Sequence, residues 1–241
     1  MIPDNSDLPP PAPERKRAPR GMGYQLIQMR VFVSNAMHPE IQARFVPQGY
    51  GPPKIVQGNT LWMDGNQKFD RNLVLEGDSE RKTKLLYDKW KDVDKKWSLF
   101  VDACYATMRA RRDLLDALGL VPRAAATKSF GYFVNRARSA YEVAIATPEI
   151  QGFIAGRGYD MARLNQERMD IQQLIAFNDA QEAAKGLAQA STHDLKASMD
   201  TMGRWYGDAV AMARRALRDR HDLLEMLGIV ARERKRKKKA V

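Results

Sequence analysis

The densest chemistry-bearing stretch of the 241-residue sequence is Arg232, Arg234, Lys235, Arg236, Lys237, Lys238 and Lys239. Each of these cations can displace a counterion from duplex DNA or RNA, with log affinity falling by about 0.9 per phosphate contact per decade of salt on B-DNA. Nothing in the run supplies an ordered element to read bases, so such binding would carry little sequence preference. A basic run of this kind also serves as a solubility or address segment, and the residues alone leave both readings open. A second basic set, Arg109 and Arg111, recurs as Arg218 and Arg220. Its spacing before a short helix predicts a cationic flank for a helix C-terminus and a solvated face, ahead of a nucleic-acid patch.

The remaining reactive residue types do not assemble into a catalytic pattern. His38, His193 and His221 share no metal-ligand spacing, and the paired Glu-x-x-His motifs of di-iron bundles are absent from the sequence. Neither a phosphate-cradling glycine loop nor a Gly-x-Ser-x-Gly elbow occurs. Asp92 and Asp94 belong to a charged face. Cys104 falls on an apolar seam, which predicts a buried, unreactive thiol. These residues predict a protein that is not an enzyme, with no cofactor and no metal site.

A content of 44% apolar residues is enough for a real core. The lone cysteine excludes an internal disulfide and predicts a reducing, cytoplasmic setting. The first residues lack the basic start and apolar run of a signal peptide, and no stretch approaches the roughly 20 apolar residues of a membrane span. The formal charge of +11 is unevenly placed: residues 231–241 hold seven basic side chains and one acid. Residues 1–22 hold Pro9-Pro10-Pro11, Pro13 and the group Arg15-Lys16-Arg17. This composition predicts a disordered arm with at most a weak PxxP-type ligand character.

Stepping along the chain by 109 residues brings two copies of one pattern into register. His38-Pro39-Glu40-Ile41 through Gly49-Tyr50 returns as Thr147-Pro148-Glu149-Ile150 through Gly158-Tyr159. At the far end, Asp113-Leu114-Leu115-Asp116-Ala117-Leu118-Gly119-Leu120 returns as Asp222-Leu223-Leu224-Glu225-Met226-Leu227-Gly228-Ile229. The sequence predicts a tandem duplication of a helical unit, all-α throughout, with residues 23–123 and 124–232 as the two repeats and 233–241 as a basic disordered tail.

Within each copy the apolar spacing predicts four helices. The first covers Tyr24 to Met37 and Phe133 to Ala146, with Tyr24, Val31 and Phe32 facing a core. The corner motif follows, with Thr147 as a cap, a proline at the first helical position and Gly49 or Gly158 at a left-handed stop. A longer helix is expected from about Pro52 and from Met161, capped by Asp160 in the second copy, and turning out at Gly77 and Gly186. Gly58 and Gly65 weaken the first of these. Leu86, Trp90, Val93, Trp97, Phe100, Cys104 and Met108 then form an a/d-type seam, repeated as Leu195, Met199, Met202, Tyr206, Ala209, Ala213 and Leu217. A short closing helix is expected in each copy, capped by Asp113 or Asp222 and ended by Gly119 or Gly228 in a Schellman motif.

The doubled Pro-Glu-Ile…Gly-Tyr corner, aromatic-bearing long helix and closing Leu-Leu-x-x-Leu-Gly motif resemble a family of uncharacterised bacterial two-repeat, all-helical proteins. That resemblance implies the architecture over roughly 24–232 and brings no activity or functional residue with it. The sequence therefore predicts an interaction or structural protein whose basic tail binds nucleic acid or an acidic protein. A protein-binding scaffold with solvating tails is the alternative, and an enzyme with a site between the repeats comes last.

Overall fold

The structure, a computed structural model, describes residues 21–121 and 129–230. Among these residues there are eight α-helices, one short 3-10 turn at Val46–Gln48 and no strand. Helix α1 spans Gly21–Asn35, α2 Pro39–Phe45, α3 Pro52–Met108 and α4 Arg112–Ala117. They are followed by α5 at Phe130–Ala146, α6 at Pro148–Ala155, α7 at Met161–Ala216 and α8 at His221–Met226. The protein is all-α, as its apolar periodicity predicts. Each of α5 to α8 starts 109 residues after its counterpart among α1 to α4. Of the arm expected at 1–22, residues 1–20 lie outside the described residues, as does 231–241, while Gly21 and Met22 belong to α1.

The turns expected at Gly77 and Gly186 do not occur, because α3 and α7 run through these positions without a break. A glycine costs only about 1 kcal/mol relative to Ala inside a helix. Neither glycine is followed by a proline, and the helix continues across it. Gly58 and Gly65 are likewise interior positions of α3.

The same two glycines bound two compact units. One unit takes the described residues within Gly77–Gly186; the other takes 21–76 with 187–230. In the first, Trp97, Phe100 and Met108 of α3 pack with Phe133 and Tyr141 of α5 and with Ile171 and Leu174 of α7. Phe100 and Tyr141 form its closest aromatic pair, with ring centroids 4.5 Å apart. In the second, Leu26, Met29 and Phe32 of α1 pack with Ile55 of α3 and with Met202, Ala209 and Leu217 of α7. Each unit thus draws residues from both of the intervals expected as repeats. The intervals 23–123 and 124–232 divide the chain by sequence likeness, whereas the compact units divide it by packing.

The predicted seam is buried from Val93 to Met108 and again at most of its repeated positions, with Leu86, Trp90 and Tyr206 only partly covered. Tyr24 departs from expectation: it is 62% exposed, whereas Phe133, 109 residues on, is buried. In α5 the core face is Phe133, Ala137, Ala140 and Tyr141. The polar residues Gln25, Gln28 and Asn35 displace that face in α1, and Leu26, Met29, Phe32 and Val33 are buried instead.

Gly119 and Gly228 adopt φ of 64° and 74°, a region glycine enters without the Cβ penalty. Leu120 N–H donates to the Leu115 carbonyl at 2.9 Å and Ile229 N–H to that of Leu224 at 3.0 Å, completing the Schellman pattern. Asp160 caps α7 by accepting the Arg163 amide at 2.8 Å. Thr147 makes no side-chain cap bond. Asp113 and Asp222 do not cap either: α4 and α8 begin two residues earlier than such caps require, the cap positions are Arg111 and Arg220, and neither helix has a side-chain cap bond. The two aspartates fall inside the first turn and turn their carboxylates to those arginines.

Candidate functional site

Arg232, Arg234, Lys235, Arg236, Lys237, Lys238 and Lys239 lie outside the described residues. The described body bears on them through its charge: it carries 27 basic and 25 acidic side chains, so it is almost neutral. Most of the +11 belongs to the segments beyond it.

The second basic set separates into two roles. Arg220 is a structural clamp in its unit, donating to Asp222 at 2.7 Å and to Glu40 of the corner helix α2 at 3.2 Å. Arg111 repeats the arrangement in the other unit, reaching Asp113 at 2.7 Å and Glu149 of α6. Hydrogen bonding to Asp222 first, then that carboxylate's charge, raises the Arg220 guanidinium above its ordinary range. The same bond holds Asp222 down at about 2. These two arginines fasten the closing helices α8 and α4 to the corner helices α2 and α6 of their own units. Arg109 and Arg218 are exposed.

A polar cluster interrupts the core of the first unit. Glu167 is 5% exposed; the Tyr141 hydroxyl donates to it at 2.6 Å and Arg163 Nε at 2.8 Å. Above this pair, the Arg163 guanidinium stacks 3.8 Å from the centroid of the Tyr159 ring. Burial, reinforced by hydrogen bonding to Glu167, pushes the Tyr141 hydroxyl far up. Burial and then the Glu167 charge push Tyr159 up to about 12. Cys104 is fully buried, and burial pushes its thiol up to about 12. Tyr141, Tyr159 and Cys104 hold their protons at neutral pH, and the cluster orders the core around Glu167.

One turn along α7, the buried Asp170 carboxylate accepts from Lys89 at 2.7 Å and Lys96 at 2.8 Å. Burial raises its pKa, but the two lysine hydrogen bonds outweigh that and hold it below the usual carboxylate range. Paired in this way the charge is tolerated inside and ties α3 to α7 within the unit. The sequence reading missed both carboxylates. Their signal was present, because Glu167 falls at a core position of the stripe Leu164, Ile171, Leu174, where an acid needs a buried partner.

The positions 109 residues away show a different solution in the second unit. Phe32 stands for Tyr141, Gly58 for Glu167, Leu61 for Asp170 and Trp205 for Lys96. Trp205 is 7% exposed and packs edge-on to Phe32 at 6.0 Å. At these positions the first unit pairs a buried carboxylate with lysines and the second packs an aromatic ring.

Among the described residues no group of three or more His, Cys, Asp or Glu could hold a metal ion. No helix among them is long and apolar enough to cross a membrane. In comparisons with family models, curated proteins and solved structures, the chain has no match. Its class is therefore given by the fold alone, an all-α protein of two compact helical units.

Proposed function

We propose that this is a non-enzymatic helical interaction protein of the cytoplasm whose segment Arg232 to Lys239 binds nucleic acid or another polyanion. The observation that carries the reading is the separation of charge: a nearly neutral body beside seven cations and one acid in residues 231–241. A balanced body gives no general attraction to phosphate, so affinity depends on the segment and falls with salt according to its number of phosphate contacts. The cytoplasmic placement is supported by a single cysteine that is buried and unpaired.

The body itself is read as a tandem duplication. The helix starts at 21 and 130, 39 and 148, 52 and 161, and 112 and 221 keep one interval, as do the left-handed glycines Gly49 and Gly158, Gly119 and Gly228. Duplication of one unit, with front and back halves exchanged, accounts for the mixed ancestry of each core.

The test is a titration of labelled duplex and single-stranded DNA and RNA at several salt concentrations, with the full chain and with a chain ending at Ala231. Loss of binding and of salt dependence in the shorter chain is expected. Equal affinity and salt slope in both would move the site to Arg109 and Arg218. Failure of both to bind at low salt would end the polyanion reading in favour of a protein scaffold.

A further inference from the structure

Within the second unit, the residues that close the chain run back along one face of α1. Asn35 Nδ2 donates to the Met226 carbonyl at 2.7 Å, and a Cβ at Gly228 would lie 3.2 Å from Val31 and 3.5 Å from the Gln28 side chain. Val31 and Gln28 precede Asn35 by helical steps of four and three, and Tyr24 comes one further step of four, about 6 Å beyond Gln28 along the helix. The chain therefore reaches Val230, which is 78% exposed, on its way toward the exposed Tyr24 ring. The cations of residues 231–241 follow directly in sequence. Helix α7 brings charge to the same side. Tyr206 packs edge-on to Phe32 of α1 at 5.7 Å, and Val210 and Arg214 succeed it at steps of four. Burial first, then Tyr24, raises the Tyr206 hydroxyl while the Arg214 charge lowers it, so both residues lie within electrostatic reach of that oxygen. Arg214 and Arg215 are exposed and make no ion pair among the described residues. The first unit differs at both counterpart positions. Phe133, 109 residues after Tyr24, is buried, and Tyr105, 109 residues before Arg214, donates its hydroxyl to the Leu120 carbonyl.

We propose that this surface takes single-stranded nucleic acid, with a base stacked on the Tyr24 ring and a phosphate on Arg214; the proposal rests on the polyanion reading of the basic segment given above. A base in a duplex is already stacked on both faces, whereas an unpaired base has a free face for an aromatic side chain beside a cationic track. An acidic protein would answer the arginines alone. A ring left in water beside unpaired cations matches a strand that alternates charge with flat rings. The pair of features falls in the unit from which the basic segment leaves, and not at the matching place in the other.

The experiment measures, with the full chain, the affinity for oligothymidylate, oligouridylate, the same DNA backbone without bases, a duplex and polyglutamate. Tyr24→Ala is expected to weaken binding of the two base-bearing single strands about 5- to 150-fold, the effect of losing one stacked base. It should leave the abasic strand and the duplex unchanged, and Tyr24→Phe, which keeps the ring, should retain the affinity. Arg214→Gln should lower the slope of log affinity against log salt by about 0.7, one phosphate contact on a single strand. A loss confined to the DNA or to the RNA strand supports the proposal and names the strand. Equal weakening of base-bearing and abasic strands, or no weakening of either while the full chain still binds them, overturns the stacking site and leaves the polyanion reading standing. An equal loss for polyglutamate assigns the ring to a protein partner and overturns it too. Failure of every strand to bind the unaltered chain at low salt overturns both this proposal and the reading beneath it.

Discussion

Trp205 closes over the α-carbon of Gly58, so that a Cβ at position 58 would lie 2.2 Å from the Trp205 ring. The contact explains why α3 accepts a glycine there: the residue is a seat for the indole. Gly77 and Gly186 differ, since a Cβ at either would meet nothing within 4 Å. Gly58→Ala is expected to destabilise the protein by about 1 to 3 kcal/mol through overpacking, despite its better helix propensity. Gly77→Ala and Gly186→Ala should each stabilise it by about 0.5 to 1 kcal/mol. Denaturant melts of the three variants check the opposite signs.

Trp97 is 7% exposed and packs against Phe100 and Tyr141. Trp97→Ala should therefore cost about 3 to 5 kcal/mol. An unchanged denaturation midpoint would remove this residue from the core.

Much of this architecture is written in residue spacing. The seam from Val93 to Met108 is legible because its steps of three and four admit only a helix with one buried stripe, and the Gly119 and Gly228 stops are legible because few other residues take positive φ. The continuity of α3 and α7 is not legible at Gly77 and Gly186, where a penalty of about 1 kcal/mol marks weakness without saying whether packing overcomes it. Partner choice is hidden for another reason. Helices with similar apolar faces can pair with near or distant partners using the same periodicity, and only tertiary contacts such as Arg220 with Glu40 distinguish the two. The site is less legible still: Arg111 and Arg220 read as solvated cations until their carboxylate partners, 38 and 180 residues away, are known.

The helix starts offer a chemical test of cap against clamp. Asp160 accepts a backbone amide, so Asp160→Ala should cost about 0.5 to 2 kcal/mol and Asp160→Asn little, since Asn also caps. Asp113 instead meets the Arg111 guanidinium, for which the carboxylate charge matters. Asp113→Asn and Asp113→Ala should thus lose equally, both slightly, in parallel thermal melts. A fully rescuing Asn at 113 would restore the capping account.

Asp170 supplies the pH dependence. Its folded pKa lies below the unfolded value because Lys89 and Lys96 hydrogen-bond the carboxylate more strongly than burial penalises it. A depressed carboxylate contributes stability that is fully present above its unfolded pKa, near 3.9, and that is lost as pH falls through the lower folded value. Asp170→Asn keeps the shape, removes the charge and leaves the two lysines without a counter-ion inside the unit. Hydrogen bonds to a charged group contribute about 1.5 to 3 kcal/mol each when fully buried. Lys96 is 35% exposed and also reaches Asp92, so water and that second carboxylate reduce the loss to about 1 to 3 kcal/mol in all at neutral pH. Urea denaturation from pH 7 down to pH 2 should show the variant less stable at the top of the range and the gap to the unaltered protein narrowing below about pH 4. A gap that stays constant across the titration would mean that Asp170 acts through its shape and not through its charge.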